Sequence, residues 1–238
     1  MDNASYAGIT RQHGLMAEMR VIANNIANAN TTGFKAEEVM FSEHIKRLDG
    51  GHASLSMATA NVHNTILAQG GMAQTGGTFD LAIEGEGFFQ IETPNGLRLT
   101  RAGAFTPNGE GDLVTMDGHR VLDAGGAPMF VPQGAGTIGI APDGTMSVAG
   151  QLVGQIGIVL PEDTIALTRE GGTMFVPNGA VEPAENGRIL QGYLEQSNVN
   201  PITQIGRMIE VQRAYELGQS FMEKEDERMR AIFQAMRR

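Results

Sequence analysis

Apolar side chains recur with helical spacing at both ends of this chain and with strand character only between them. Near the start, Leu15, Met19, Ile22 and Ile26 follow at steps of four, three and four, and Met16 and Ala23 widen the stripe. That period puts them on one helical face. It predicts a helix from about Asn3 to Asn28, ended by Asn30-Thr31-Thr32-Gly33, since glycine readily turns left-handed just past a helix. Residues 34–69 carry a weaker signal. Phe34 to Leu48 is faintly periodic, Gly50-Gly51 breaks it, and Thr59 to Gln69 admits a strand or an extended arm. The other end is clearer. Pro201 suits a first helical turn. From there Met208, Val211, Tyr215, Gly218, Met222, Glu225, Met229, Ile232 and Met236 keep a 3,4 spacing, and seven of these nine are apolar. This is a heptad seam interrupted at Gly218 and Glu225, with Glu223, Lys224, Glu225, Asp226, Glu227, Arg228 and Arg230 as a solvated mixed-charge outer face. A helix from Pro201 to Met236 would span roughly 54 Å, long for a compact domain. Such a seam needs a partner, and the N-terminal helix is the other element with that pattern.

The middle reads as β structure. Asn95-Gly96, Asn108-Gly109, Asp117-Gly118, Asp143-Gly144, Asn178-Gly179 and Asn186-Gly187 are hairpin signals. Between them lie short β-prone runs at 87–91, 111–115, 137–140 and 155–160. Short strands with frequent turns predict an antiparallel sandwich or open barrel. The expected fold class is therefore α+β: N- and C-terminal helices form a coiled-coil-like domain that brackets an antiparallel β-rich central domain. The expected boundaries are 1–69 for the N-terminal helix and connecting arm, 70–192 for the β domain, and 193–238 for the returning helix. Helical ends that pair while the middle projects suit a subunit of a fibre or tube better than a compact enzyme.

Composition sharpens that division. The chain has 238 residues and a formal net charge of −10. Residues 70–192 hold 25 of the 32 glycines and a net charge of −9, whereas the two ends are almost neutral. An acidic chain is a poor partner for nucleic acid or an anionic membrane surface, both of which call for a basic face. No apolar run reaches the length of a membrane span, so no membrane insertion is expected. With no cysteine there is no disulfide, thiolate nucleophile or Cys-held metal. The opening Met1-Asp2-Asn3-Ala4-Ser5 lacks the basic and apolar regions of a cleaved secretory signal.

Candidate chemistry is sparse. His13, His44, His52, His63 and His119 show no ligand spacing, and no serine lies in a GxSxG elbow. Gly85-Glu86-Gly87 supplies two glycines of a dinucleotide fingerprint, but Gln90 stands where the third is needed and Phe88-Phe89 leads into a strand. Glu84 and Glu86 read as solvated acids beside a turn rather than a catalytic pair. The expectation is no enzyme activity, no cofactor and no metal.

Three blocks together resemble one family, the bacterial flagellar axial proteins of the rod and hook. The first is Ala23-Asn24-Asn25-Ile26-Ala27-Asn28 with Asn30-Thr31-Thr32-Gly33-Phe34-Lys35. The second runs from Phe79 to Phe89 and continues in Thr100-Arg101-Ala102-Gly103-Ala104-Phe105 and Gly111 to Thr115. The third is Glu195-Gln196-Ser197-Asn198-Val199-Asn200-Pro201 with Met208-Ile209-Glu210 and Gln212-Arg213-Ala214-Tyr215-Glu216. They lie in the family's order and span the chain. The length is short for a hook protein. The opening residues and the run 131–145 are similar to the proximal rod form, although Gln212 to Glu216 is closer to the distal rod and hook.

The resemblance implies a structural subunit of the basal-body rod that assembles helically and transmits torque. It also implies export through the flagellar type III apparatus without signal cleavage, and other rod subunits as partners. The assembly surface expected on this basis packs Met16, Met19, Ile22 and Ile26 against Met208, Val211, Tyr215, Met222 and Met229. Asn24, Asn25 and Asn28 would supply hydrogen bonds at helix junctions, Gly33 and Phe34 would turn the chain out of the helical core, and Asn198, Asn200 and Pro201 would begin the returning helix. The rival readings are a distal rod subunit, a cell-wall-acting or ligand-binding β-domain protein, and a soluble adaptor with a terminal coiled coil.

Overall fold

A computed structural model describes residues 3–46, 55–132, 134, 136–164, 167–184 and 186–236. Gly50-Gly51 and Leu48 lie outside these residues. The chain forms two compact units, one from Met1–Ala27, Glu37–Ile66 and Asn200–Arg238, the other from Asn28–Ala36 and Leu67–Val199.

The first unit holds helix α1 (Asn3–Ala27), the antiparallel strands β1 (Glu37–Lys46) and β2 (Leu55–Thr65), and helix α2 (Pro201–Met236). The register of the hairpin runs from Glu37 opposite Thr65 to Lys46 opposite Leu55, with one shift between Met40 and Phe41. So the ambiguous segment after the first helix is a strand pair. Helix α2 starts where the Asn200 carboxamide oxygen accepts from the backbone N–H groups of Ile202 and Thr203, at 3.1 and 3.3 Å. Asparagine is a strong N-cap for that reason, and Pro201 loses nothing at a position whose N–H has no helical partner.

The helices pack through buried Leu15, Ile22 and Val211, with Met19, Ile26, Met208, Ala214 and Tyr215 half-buried around them. Their direction is antiparallel: Glu18 pairs with Arg207, and Gly8 lies beside Met222. In the single chain two features depart from simple apolar periodicity. Met16 and Met229 are each 37 % exposed and stand outside the packed cluster. On α1 the buried stripe instead takes in Gln12, Glu18, Val21 and Asn25, because the inward face is set by the strand pair and by polar pairing with α2 as well as by apolar periodicity. On α2 the seam positions are buried or half-buried as far as Glu225, and Met229 is the first exposed one. Helix α1 has 25 residues against 36 in α2, or about 37 Å against about 54 Å, so the far end of α2 outruns its partner.

The second unit is antiparallel β throughout its described strand pairs. The strand Phe88–Thr93 folds back on Gly96–Thr100 through Pro94-Asn95, with Phe89 opposite Thr100. Met174–Val176 pairs with the outer edge of that hairpin, and Ile158–Pro161 and Arg120–Val121 pair with the other. Leu113–Thr115 and Phe105–Pro107 extend the sheet. A separate sheet contains Ile138–Ile140, Thr145–Val148 and Gln151–Gln155. Two short pairs, Leu81–Glu84 with Arg188–Gln191 and Met72–Gln74 with Tyr193–Glu195, join the beginning of the unit to its end. Asn108 shows how the turn residues act: its side-chain oxygen accepts from the N–H groups of Glu110 and Asp112 at 2.9 and 2.8 Å. The main core contains Leu81, Ile83, Phe89, Ile91, Leu113, Met146 and Ile189, and a smaller one gathers Phe88, Leu99, Val159 and Phe175.

Phe89 is fully buried and meets Phe105 edge-on at 5.1 Å. Phe89→Ala should destabilise the β unit by about 3–5 kcal/mol, the usual cost of emptying a buried aromatic site. Urea unfolding followed by circular dichroism measures it, and a change below about 1 kcal/mol would contradict this packing.

Candidate functional site

Two places in the chain gather the residues that the three sequence blocks single out. The first is the helical face described above, together with Asn25. Asn25 is 1 % exposed, and its side chain pairs with both backbone groups of Glu37: Nδ2 donates to the carbonyl at 2.8 Å and Oδ1 accepts from the N–H at 3.0 Å. A carboxamide thus does for the start of β1 what a neighbouring strand would do. Nδ2 also reaches the Gln204 side-chain oxygen on α2 at 3.5 Å. Asn24, next to it, is exposed. Asn28 is half-buried and accepts a hydrogen bond from the Thr31 hydroxyl at 3.1 Å.

The second place lies inside the β unit. Gly33 has φ near 70°, and a Cβ there would stand 2.3 Å from the Ala102 nitrogen, so only glycine fits. Its N–H donates to the Glu195 carbonyl at 2.7 Å. Phe34 follows, fully buried, with the Arg169 guanidinium 4.4 Å from its ring centre and 4.8 Å from that of Phe175. Arg169 also donates to the Lys35 carbonyl. Asn198 closes the same region: its Oδ1 accepts from the Ala36 N–H at 2.6 Å and its Nδ2 donates to the Ala68 carbonyl at 2.9 Å.

At the centre is a buried charge cluster. The Glu195 carboxylate is wholly inaccessible. One of its oxygens accepts from Lys35 Nζ at 2.5 Å and from the Gly70 N–H at 2.9 Å; the other accepts from Arg101 Nη1 at 3.2 Å. Lys35 Nζ donates further to the Ala68 carbonyl at 2.9 Å, and Arg101 to the carbonyls of Ile83 and Gly85 at 3.2 and 2.7 Å. Burial pulls the Lys35 ammonium below the usual lysine range, and contact with Glu195 opposes that shift. Arg101 is lowered for the same first reason and again held up by Glu195. Two cations share one anion in a low-dielectric site, so Glu195 is the group that makes burial of both tolerable. Arg101 Nε has no partner in the described structure.

The chain leaves this unit after Ala36, returns at Leu67 and leaves again after Val199. The cluster draws a group from each of those stretches: Lys35, the Ala68 and Gly70 backbone, and Glu195. The sequence reading did not single out Lys35, Arg101 or Glu195 as site residues, although each lies within a quoted block. Their pairing is non-local, and no spacing rule announces a buried charge.

Among the described residues no group of three or more histidines and carboxylates is placed to hold a metal, and no helix is long and apolar enough to cross a membrane. Comparison with known families gives three matches in chain order. Residues 6–35 match the flagella basal body rod protein family, residues 82–148 the D1 domain of the flagellar hook proteins FlgE/F/G, and residues 190–235 the C-terminal domain of the basal body rod FlgEFG proteins. Each match carries one member of the cluster: Lys35, Arg101 and Glu195. The flagellar basal-body rod protein FlgF of Caulobacter vibrioides is 41% identical, over 99% of this chain and 98% of its own length. This chain belongs to the flagellar basal-body rod proteins. The FlgF of Mesorhizobium japonicum is 38% identical over 91% of the chain, and the rod protein FlgG of Bacillus subtilis 32% over 93%. Within the rod family the chain is most like FlgF.

Glu195→Gln leaves two buried cations without their anion and should cost about 3–5 kcal/mol. Lys35→Met leaves a neutral Arg101–Glu195 pair and should cost clearly less. Because the folded-state pKa of Lys35 is lowered, the unfolded chain binds more protons as pH approaches the ordinary lysine range. That contribution to stability therefore rises with pH, and Lys35→Met removes it. Unfolding curves of the three proteins between neutral and alkaline pH test the order, which is refuted if Lys35→Met is the most damaging change.

Proposed function

We propose that the chain is a structural subunit of the proximal rod of the flagellar basal body, built into a helical array through its terminal helices and stiff enough to transmit torque. The observation that carries this reading is the full-length similarity to FlgF proteins, joined to a helical unit whose apolar surface is only partly covered. Ile202, Ile205, Ile209, Leu217, Phe221 and Phe233 on α2 are 45–82 % exposed. A two-helix contact leaves such faces for neighbours to bury, which is how stacked helical assemblies gain stability. The pairing of α1 with α2 becomes coiled-coil-like in this setting, with Ile22, Val211 and their neighbours as its centre. The Met16 and Met229 side chains, exposed in the single chain, become contacts to adjacent subunits.

In this reading the chain divides as a helical assembly part and a β part that gives the rod its outer girth. The partners are other rod subunits, and delivery is by the flagellar type III export apparatus without a cleaved signal. The acidic β segment, at −9, keeps subunits soluble while the nearly neutral helical ends associate. Its role is mechanical, with no catalysis and no cofactor. Gly33, Phe34, Asn198, Asn200 and Pro201 set the paths by which the chain passes between its helical and β parts.

Met222 is half-buried beside Gly8. Met222→Asp should abolish rod assembly and motility while the β unit keeps its protease resistance. Swimming assays and electron microscopy of isolated basal bodies measure this, and normal rods in the variant would refute the role given to the helices.

A further inference from the structure

Four of the six turns that mark the β region pair asparagine with glycine, and the fold treats the four asparagines differently. Asn95 donates from Nδ2 to Glu170 Oε1 at 3.2 Å, and Gly96 stands opposite Thr93 in the strand register. Asn108 is held most firmly: its Oδ1 accepts from the N–H groups of Glu110 and Asp112 at 2.9 and 2.8 Å. Asn178 donates from Nδ2 to the Thr168 hydroxyl at 3.4 Å. The Asn186 side chain is exposed and makes no hydrogen bond among the described residues.

An Asn-Gly pair carries latent chemistry of its own. The backbone nitrogen of the glycine can attack the side-chain amide carbon of the asparagine. A nitrogen–carbon bond forms, the bond from that carbon to Nδ2 breaks, and ammonia leaves with the proton of the attacking N–H. The product is a cyclic imide. Water opens it at either carbonyl, giving aspartate or isoaspartate, whose backbone runs through the former side-chain carbon. Glycine favours the attack because it has no Cβ to block the approach and the widest backbone freedom. A hydrogen bond to the carboxamide opposes it by holding the side chain in one orientation. By that criterion Asn186 is the reactive member of the set and Asn108 the protected one.

We propose that Asn186-Gly187 is a site of spontaneous covalent modification, converting to aspartate and isoaspartate through the imide. This inference is independent of the rod assignment. The surroundings give the change a consequence. The turn leads into Arg188–Gln191, which pairs with Leu81–Glu84. It also lies against Gly85 and Glu86: a Cβ at Gly85 would stand 2.7 Å from the Asn186 carbonyl oxygen, and one at Gly187 would stand 2.6 Å from the Glu86 carbonyl oxygen. Isoaspartate adds an atom to the backbone where these two segments have no spare room. The Gly85 carbonyl accepts from Arg101, so the strain falls beside the buried charge cluster. Each conversion also adds one negative charge to a segment already at −9. The modified β unit is therefore weaker at this strand pair.

The full-length chain would be held in warm, mildly alkaline buffer, with and without concentrated urea, and sampled by peptide mapping with mass spectrometry. In the folded chain Asn186 should convert first, roughly ten-fold faster than Asn108, whose carboxamide must first give up its hydrogen bonds. In urea the four sites should converge, because glycine follows each of them and only the fold sets them apart. An isoaspartate-specific methyltransferase should label the peptide holding Asn186 in the aged protein. Asn186→Gln should remove that label, and the aged variant should keep the protease resistance that the aged parent chain loses. Asn95, Asn108 or Asn178 converting as fast as Asn186 in the folded chain overturns the proposal. So does a lead for Asn186 that persists unchanged in urea. Aged, converted chain that resists protease as well as fresh chain overturns the consequence drawn for the strand pair.

Discussion

The Glu195 carboxylate is the constraint around which the β unit is arranged. It is wholly buried and accepts from a lysine, an arginine and a backbone N–H supplied by three stretches far apart in sequence. A lone buried anion would be prohibitive, and so would either cation without it. The three are therefore coupled: none can be seated until the others arrive. Because Lys35 and Glu195 border the points where the chain leaves the unit, closing the cluster also fixes those exits within the β framework. Gly33, Phe34, Arg169 and Asn198 reinforce the same region by close backbone approach, ring stacking and side-chain-to-backbone hydrogen bonds.

The helical unit is built on the opposite principle. Its core is small, with Leu15, Ile22 and Val211 as its buried centre, and much of its apolar surface stays open. A charge cluster completed inside one chain gives a self-sufficient fold; an apolar face left half-covered gives a subunit. Association through the helices, as proposed, would draw on that open face.

Much of this was legible in the residues. The 3,4 spacing from Met208 onward and the Pro201 start predict α2 as observed, and the Leu15–Ile26 steps predict α1, because helical period is a local property. The Asx-Gly turns announced an antiparallel β region, since those turns need only their own few residues. The strands after α1 were less legible. Their pairing sets Glu37 opposite Thr65, across a separation that no local pattern records. The inward side of α1 was also only half readable. Gln12, Glu18 and Asn25 are buried through partners on α2 and β1, and polar residues buried by pairing look like surface residues in a hydropathy pattern.

The sequence by itself determined the two helices, the antiparallel β middle and their order, the acidic middle and neutral ends, and the family to which the blocks point. Each of these depends on short-range spacing or on composition. Only the tertiary structure decided which groups meet: that Lys35, Arg101 and Glu195 share one buried site, that Met16 and Met229 fall outside the helix contact, and that α2 outruns α1. The reason is physical. Charge burial and overhang length depend on distances between residues remote along the chain, and those distances are fixed only once the whole chain has packed.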